Sequence, residues 1–94
     1  MTAIEVTGRL VCASPTEAMT VGQHLPLHIR LTRAEPGCER FEVKLTSHPF
    51  VFAVSERFAD QAAYEAHQAR VAASEWGRAT AGITREYEIR VVDE

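Results

Sequence analysis

The segment from Phe50 to Phe58 constrains the fold more than any other, because it is apolar on both faces of an extended strand. Phe50, Phe52 and Val54 point one way while Val51 and Ala53 point the other, a pattern that requires cover from both sides. The segment before it alternates: Glu39, Phe41, Val43 and Leu45 interleave with Arg40, Glu42 and Lys44. Ser47-His48-Pro49 turns the chain between the two, so residues 38–58 read as a hairpin.

Two more strands and two helices flank the hairpin. Residues 4–12 set Ile4, Val6, Gly8, Leu10 and Cys12 against Glu5, Thr7 and Arg9, which predicts a half-buried strand. Gly8 inside it signals a bulge or the close approach of another group. Ser14-Pro15-Thr16-Glu17 opens a helix with a capping box and a proline at the first helical position. Val21, Leu25, His28, Ile29 and Thr32 continue it at helical spacing, and Glu35-Pro36-Gly37 ends it in a tight turn. Pro26 lies inside this helix and predicts a kink or a break into two pieces. Asp60 caps a second helix expected to run to about Trp76. Tyr64, His67, Val71 and Ser74 line its core-facing stripe, and Ala62, Ala66, Ala69 and Ala73 form a small-residue stripe for a close neighbour. After Gly82, a fourth strand alternates Ile83, Tyr87, Ile89 and Val91 with charged residues.

The order strand, helix, strand, strand, helix, strand is the ferredoxin-like α+β pattern, βαββαβ, in one domain spanning residues 1–94. Its antiparallel four-stranded sheet carries both helices on one face. The second apolar face of the third strand then needs another cover, for which a second copy in a homodimer is the simplest candidate.

Bulk properties exclude several functions. The net charge of -3, with both signs intermixed, offers no basic face for nucleic acid. The longest uncharged run is too short to cross a bilayer, so no membrane role is expected. The first residues lack the basic start and apolar stretch of a signal peptide, which points to the cytoplasm. Cys12 and Cys38 are lone thiols without metal-ligand or CxxC spacing, and read as small buried hydrophobes. No serine sits in a nucleophile elbow and no glycine-rich phosphate loop exists.

The candidate site residues are aromatic and imidazole side chains. His67 shares the inward stripe of Tyr64 and Val71, where a near-neutral imidazole could take a phenolic proton; otherwise it is a core histidine bonded to a strand or to Glu56. His28 lies on the stripe of Leu25 and Ile29 and could face a pocket opposite His67. His24 and His28 have the i, i+4 spacing of metal ligands, but Pro26 lies between them and no third ligand follows, so no metal is expected. Tyr64 and Trp76 could stack on a planar ligand, Phe50 and Phe52 could floor the cavity, and the Tyr87 hydroxyl could meet a ligand; simple core packing is the alternative for all of these. Glu56 shares a face with Phe52 and Val54, which would bury its carboxylate beside Arg85 or His67. Strand charges such as Arg40, Glu86 and Arg90 are expected in cross-strand pairs or at a dimer rim.

Four runs, Glu35-Pro36-Gly37-Cys38, Phe41-Glu42-Val43, residues 54–60 (VSERFAD) and residues 62–67 (AAYEAH), together resemble the antibiotic biosynthesis monooxygenase family. The resemblance implies a dimeric α+β barrel with a pocket between sheet and helices in each subunit. It further implies oxidation of a phenolic or quinol-type aromatic small molecule by O2 without flavin or metal, the deprotonated substrate reducing oxygen directly. His67 matches the family's second-helix histidine. The chain contains no asparagine, whereas the resemblance's polyketide oxygenases and haem-degrading branch each rely on a pocket asparagine, and no haem or other cofactor is expected. A non-catalytic dimeric module that binds a small ligand, or only packs against itself, is the alternative function.

Overall fold

The computed structural model describes residues 2–93, with elements in the order β1 (Thr2–Val11), α1 (Pro15–Arg33), β2 (Cys38–Leu45), β3 (Val51–Phe58), α2 (Gln61–Ala72), α3 (Glu75–Ala79) and β4 (Thr84–Asp93). The strands form one antiparallel sheet in the order β2-β3-β1-β4. This is the ferredoxin-like α+β fold expected from the sequence.

Capping chemistry fixes where the helices begin. Ser14 Oγ accepts from the Glu17 N–H at 3.2 Å, and the Glu17 carboxylate reaches back to the Ala13 N–H at 2.7 Å. Asp60 does the same for α2, accepting from the Ala63 N–H at 2.8 Å. Pro26 does not break α1, which is continuous over 19 residues. The side of this turn that loses a donor is open to solvent: Gly22 has no neighbour near its Cβ position and Pro26 is exposed. Burial of Val21, His28 and Thr32 holds the two ends in line. Arg33 then ties the helix to β2 by donating twice to the Phe41 carbonyl, at 3.0 and 2.9 Å.

The second helix stops earlier than its periodicity suggests. It ends at Ala72, and Ser74 starts a separate turn of helix by donating to the Val71 carbonyl at 2.7 Å and accepting from the Gly77 N–H at 3.0 Å. Any side chain at Gly77 would lie 2.1 Å from that same Val71 carbonyl oxygen, so the close junction requires glycine. This junction swings Trp76 under the domain, where it is buried. The alanine stripe of α2 has no neighbour: Ala62, Ala66, Ala69 and Ala73 are exposed. The alanine that meets another element is Ala63, against Gly37.

Gly8 marks a close approach and not a bulge. It pairs with Val54 and Tyr87 in unbroken registers, at φ +149°, and a Cβ there would sit 2.1 Å from the Glu86 carbonyl oxygen. The ladder shifts elsewhere, between Cys38 and Arg40 of β2.

The core lies between the helices and one sheet face, with Ile4, Leu10, Val21 and Phe58 essentially inaccessible. The other sheet face is less apolar than β3 alone suggested. At one end Glu5 is gripped by Arg57 at 3.0 Å, Arg90 at 3.0 Å and Arg40 at 3.5 Å. Arg57 also bonds Glu39, and Arg9 pairs with Glu86 across β1 and β4. The apolar residues of that face are Ala3, Val11, Val51, Ala53 and Val92. Among the described residues no helix is long and apolar enough to cross a membrane, and Cys12 and Cys38 are free thiols.

Candidate active site

The helices do not seal against the sheet. Between them lies a cavity of about 120 Å³. Val6, Leu10, Val43, Val54 and Val71 supply its apolar wall. The remaining lining is polar or aromatic, drawn from every layer of the fold.

His67 is at its centre. The inward stripe of α2 buries it to 4% exposure, stacked obliquely on Phe58 at 4.8 Å. Its Nδ1 lies 3.0 and 3.2 Å from the two carboxylate oxygens of Glu35. A carboxylate can only accept, so this contact places the imidazole hydrogen on Nδ1 and leaves the Nε2 lone pair free. Arg70, one turn beyond His67, donates through Nε to the same carboxylate and through Nη2 to Thr32 Oγ1 at 2.9 Å. Burial depresses the His67 pKa, an effect the Glu35 charge and hydrogen bond partly oppose and the Arg70 charge reinforces. The result is a neutral, oriented base.

Glu56 occupies β3 opposite. It is 7% exposed, with Oε1 3.9 Å from His67 Nε2, too far for a hydrogen bond but close enough for one small polar group to bridge. Burial, then the nearby Glu35 charge, raises its pKa from 4.5 to about 7, against the opposing charge of Arg85. Arg85 does not pair with it directly. That guanidinium donates to the Thr80 carbonyl and hydroxyl at 2.9 and 2.8 Å and to the Ile83 carbonyl at 3.1 Å.

His28 lines the same cavity, its ring centroid 6.2 Å from that of His67. It stacks face to face on Trp76 at 4.3 Å and meets Phe41 edge-on at 5.2 Å. Burial first, then the charges of Arg70, His67 and Arg85, lowers its pKa from 6.5 to about 3. Its Nδ1 is buried without a hydrogen-bond partner.

The other expected site residues divide. Tyr64, Trp76 and Tyr87 line the cavity as the sequence suggested. The Tyr64 hydroxyl accepts from Gln68 at 3.2 Å, and burial pushes the Tyr87 phenol up to about 12. Phe52 does not floor the cavity; it is buried in the core cluster with Leu10, Cys12, Val21 and Ile83, and Phe41 takes the wall position instead. His24 turns to Glu75 at 4.0 Å, and among the described residues no group of three His, Cys, Asp or Glu could hold a metal. Glu35 and Arg70 were not identified from the sequence, although a helix histidine buried beside an arginine one turn on is itself a sign that a carboxylate must be near.

Fold and site define a class: a ferredoxin-like α+β domain holding an internal cavity around a carboxylate-oriented histidine. The chain belongs to the antibiotic biosynthesis monooxygenase family, whose model matches residues 9–79. Among solved structures it resembles PA3566 from Pseudomonas aeruginosa, with a TM-score of 0.74 and 21% identity over 100% of this chain and 95% of that one. It also resembles Rv0793 from Mycobacterium tuberculosis, with a TM-score of 0.70 and 21% identity over 98% and 94%. A Nitrosomonas europaea protein of unknown function, NE2512, has a TM-score of 0.71 and 26% identity over 98% and 88%. These likenesses bear on the fold. A search of curated proteins finds no match.

Proposed function

We propose that this chain is a cofactor-independent monooxygenase that oxidises a phenolic or quinol-type ring with O2, using His67 as the base. The observation that carries the reading is the His67–Glu35 contact, because it fixes the proton of an imidazole kept neutral by burial on Nδ1 and leaves Nε2 as an acceptor on a cavity wall. Nε2 takes the proton of a ring hydroxyl. The electron-rich ring carbon then gives its electrons to O2, forming a C–O bond, and the imidazolium returns the proton to the distal oxygen. Loss of the hydrogen on that carbon makes the carbonyl, breaks the O–O bond and releases the distal oxygen as water. One dihydroxybenzene and one O2 thus give one hydroxyquinone and one water, with all four electrons from the substrate. Glu35 orients the base, and Tyr64, Tyr87 and Trp76 bound the ring.

We further propose that the protein works as a homodimer in the cytoplasm, where the unpaired thiols of Cys12 and Cys38 stay reduced. Oxygen uptake with dihydroxybenzenes tests the chemistry. His67→Ala is expected to lower turnover at least about a hundredfold, the scale of a lost general base. Equal uptake by variant and wild type would remove His67 from the mechanism. Ring binding with no uptake by the wild type would assign the chain to the non-catalytic modules of this fold.

A further inference from the structure

The polar groups facing the cavity outnumber what one phenolic hydroxyl can satisfy. His67 Nε2 and Glu56 Oε1, 3.9 Å apart, would together receive a single hydroxyl. The His28 imidazole is then left over: it lines the same cavity, is 4% exposed and makes no hydrogen bond among the described residues, its Nδ1 being fully enclosed. A buried imidazole without a partner is the kind of group that a ligand hydroxyl satisfies.

We propose that the cavity selects a single aromatic ring carrying oxygens on two adjacent carbons, one received between His67 and Glu56 and the other by His28. This rests on the oxygenase reading for its first hydroxyl and adds the second. Spacing decides the substitution pattern. Imidazoles with centroids only 6.2 Å apart are close enough to take two oxygens on neighbouring ring carbons. Oxygens placed para point in opposite directions and would need acceptors on opposite walls. Volume decides the ring count: a cavity of about 120 Å³ is somewhat smaller than the roughly 150 Å³ apolar cavity known to hold one benzene. One ring is the most that this volume matches, and a fused second ring would have to extend outside it. The stack of His28 on Trp76 holds the selecting imidazole in place, and its low pKa keeps it neutral, with one nitrogen to donate and one to accept.

Trp76 is the chain's single tryptophan, so its fluorescence reports cavity occupancy directly. Titrations without oxygen compare catechol, hydroquinone, phenol and 1,2-dihydroxynaphthalene on wild type and His28→Phe, a change that keeps a ring against Trp76. Catechol is expected to bind about tenfold more tightly than phenol or hydroquinone, the effect of one additional net hydrogen bond, and the naphthalene diol more weakly than catechol. In His28→Phe the catechol-to-phenol ratio is expected to fall to within about twofold. Equal wild-type binding of catechol, hydroquinone and phenol would overturn the proposal, as would a catechol preference that survives in the variant. Because no turnover is involved, the two readings fail separately: selective binding without oxygen uptake sinks the oxygenase and spares the selectivity, and uptake without selectivity does the reverse. If the variant does not fold, the wild-type ranking alone decides.

Discussion

A buried carboxyl held 3.9 Å from an imidazole nitrogen gives the site its sharpest residue-scale signature. Glu56 binds its proton more tightly in the folded chain, with a pKa of about 7 against an ordinary 4.5. Between those values the native state holds more protons than the unfolded state, so this group's contribution to stability is full below about pH 4.5 and lost as pH rises through about 7, by roughly 3 kcal/mol. His28 acts in the opposite sense: its lowered pKa contributes stability above 6.5 that is lost as pH falls toward 3. The difference between wild type and Glu56→Gln isolates the carboxyl. Denaturant melts are expected to show the variant more stable near pH 8, by up to about 3 kcal/mol, and the two converging near pH 4. A gap independent of pH would mean that Glu56 ionises as an ordinary surface carboxylate. Much of this was legible in the sequence, since alternation on β3 places Glu56 inward and helical spacing places His67 on the core stripe. Glu35 was not, because it lies in a turn whose Pro-Gly signature explains it locally, and its pairing with His67 and Arg70 exists only after α1 and α2 pack.

At the scale of elements, caps and alternation foretold strands and helix starts, while helix ends depended on tertiary contacts. Helical spacing continues smoothly from Tyr64 to Ser74, and only the Ser74 bonds to Val71 and Gly77 reveal that Trp76 belongs to a separate turn. The sheet carries its own unfinished business at β4. Ile89 and Val91 point to the helix-bearing face as partners of Val6 and Ile4, yet are 56% and 65% exposed, so the chain's own helices leave them uncovered. Together with Val51 and Ala53 on the opposite face, they are the surfaces a second copy would bury. Light scattering is expected to give twice the chain mass at micromolar concentration, and Ile89→Asp with Val91→Asp to shift it toward monomer. A wild-type monomer under those conditions would contradict the homodimer.

For the whole molecule, one histidine organises the design. The fold brings a turn, a helix and two strands to bear on one imidazole: Glu35 and Arg70 set its proton, Phe58 and Phe41 set its plane, and Glu56 faces its free nitrogen. The central claim is that this ring is neutral, with its hydrogen on Nδ1 and a lone pair at the cavity. Nitrogen-15 histidine spectra, followed with pH, read this directly. The account predicts that the His67 signals show a protonated Nδ1 and a bare Nε2 at neutral pH, titrating below the ordinary 6.5. A proton on Nε2, or an imidazolium at neutral pH, would contradict it.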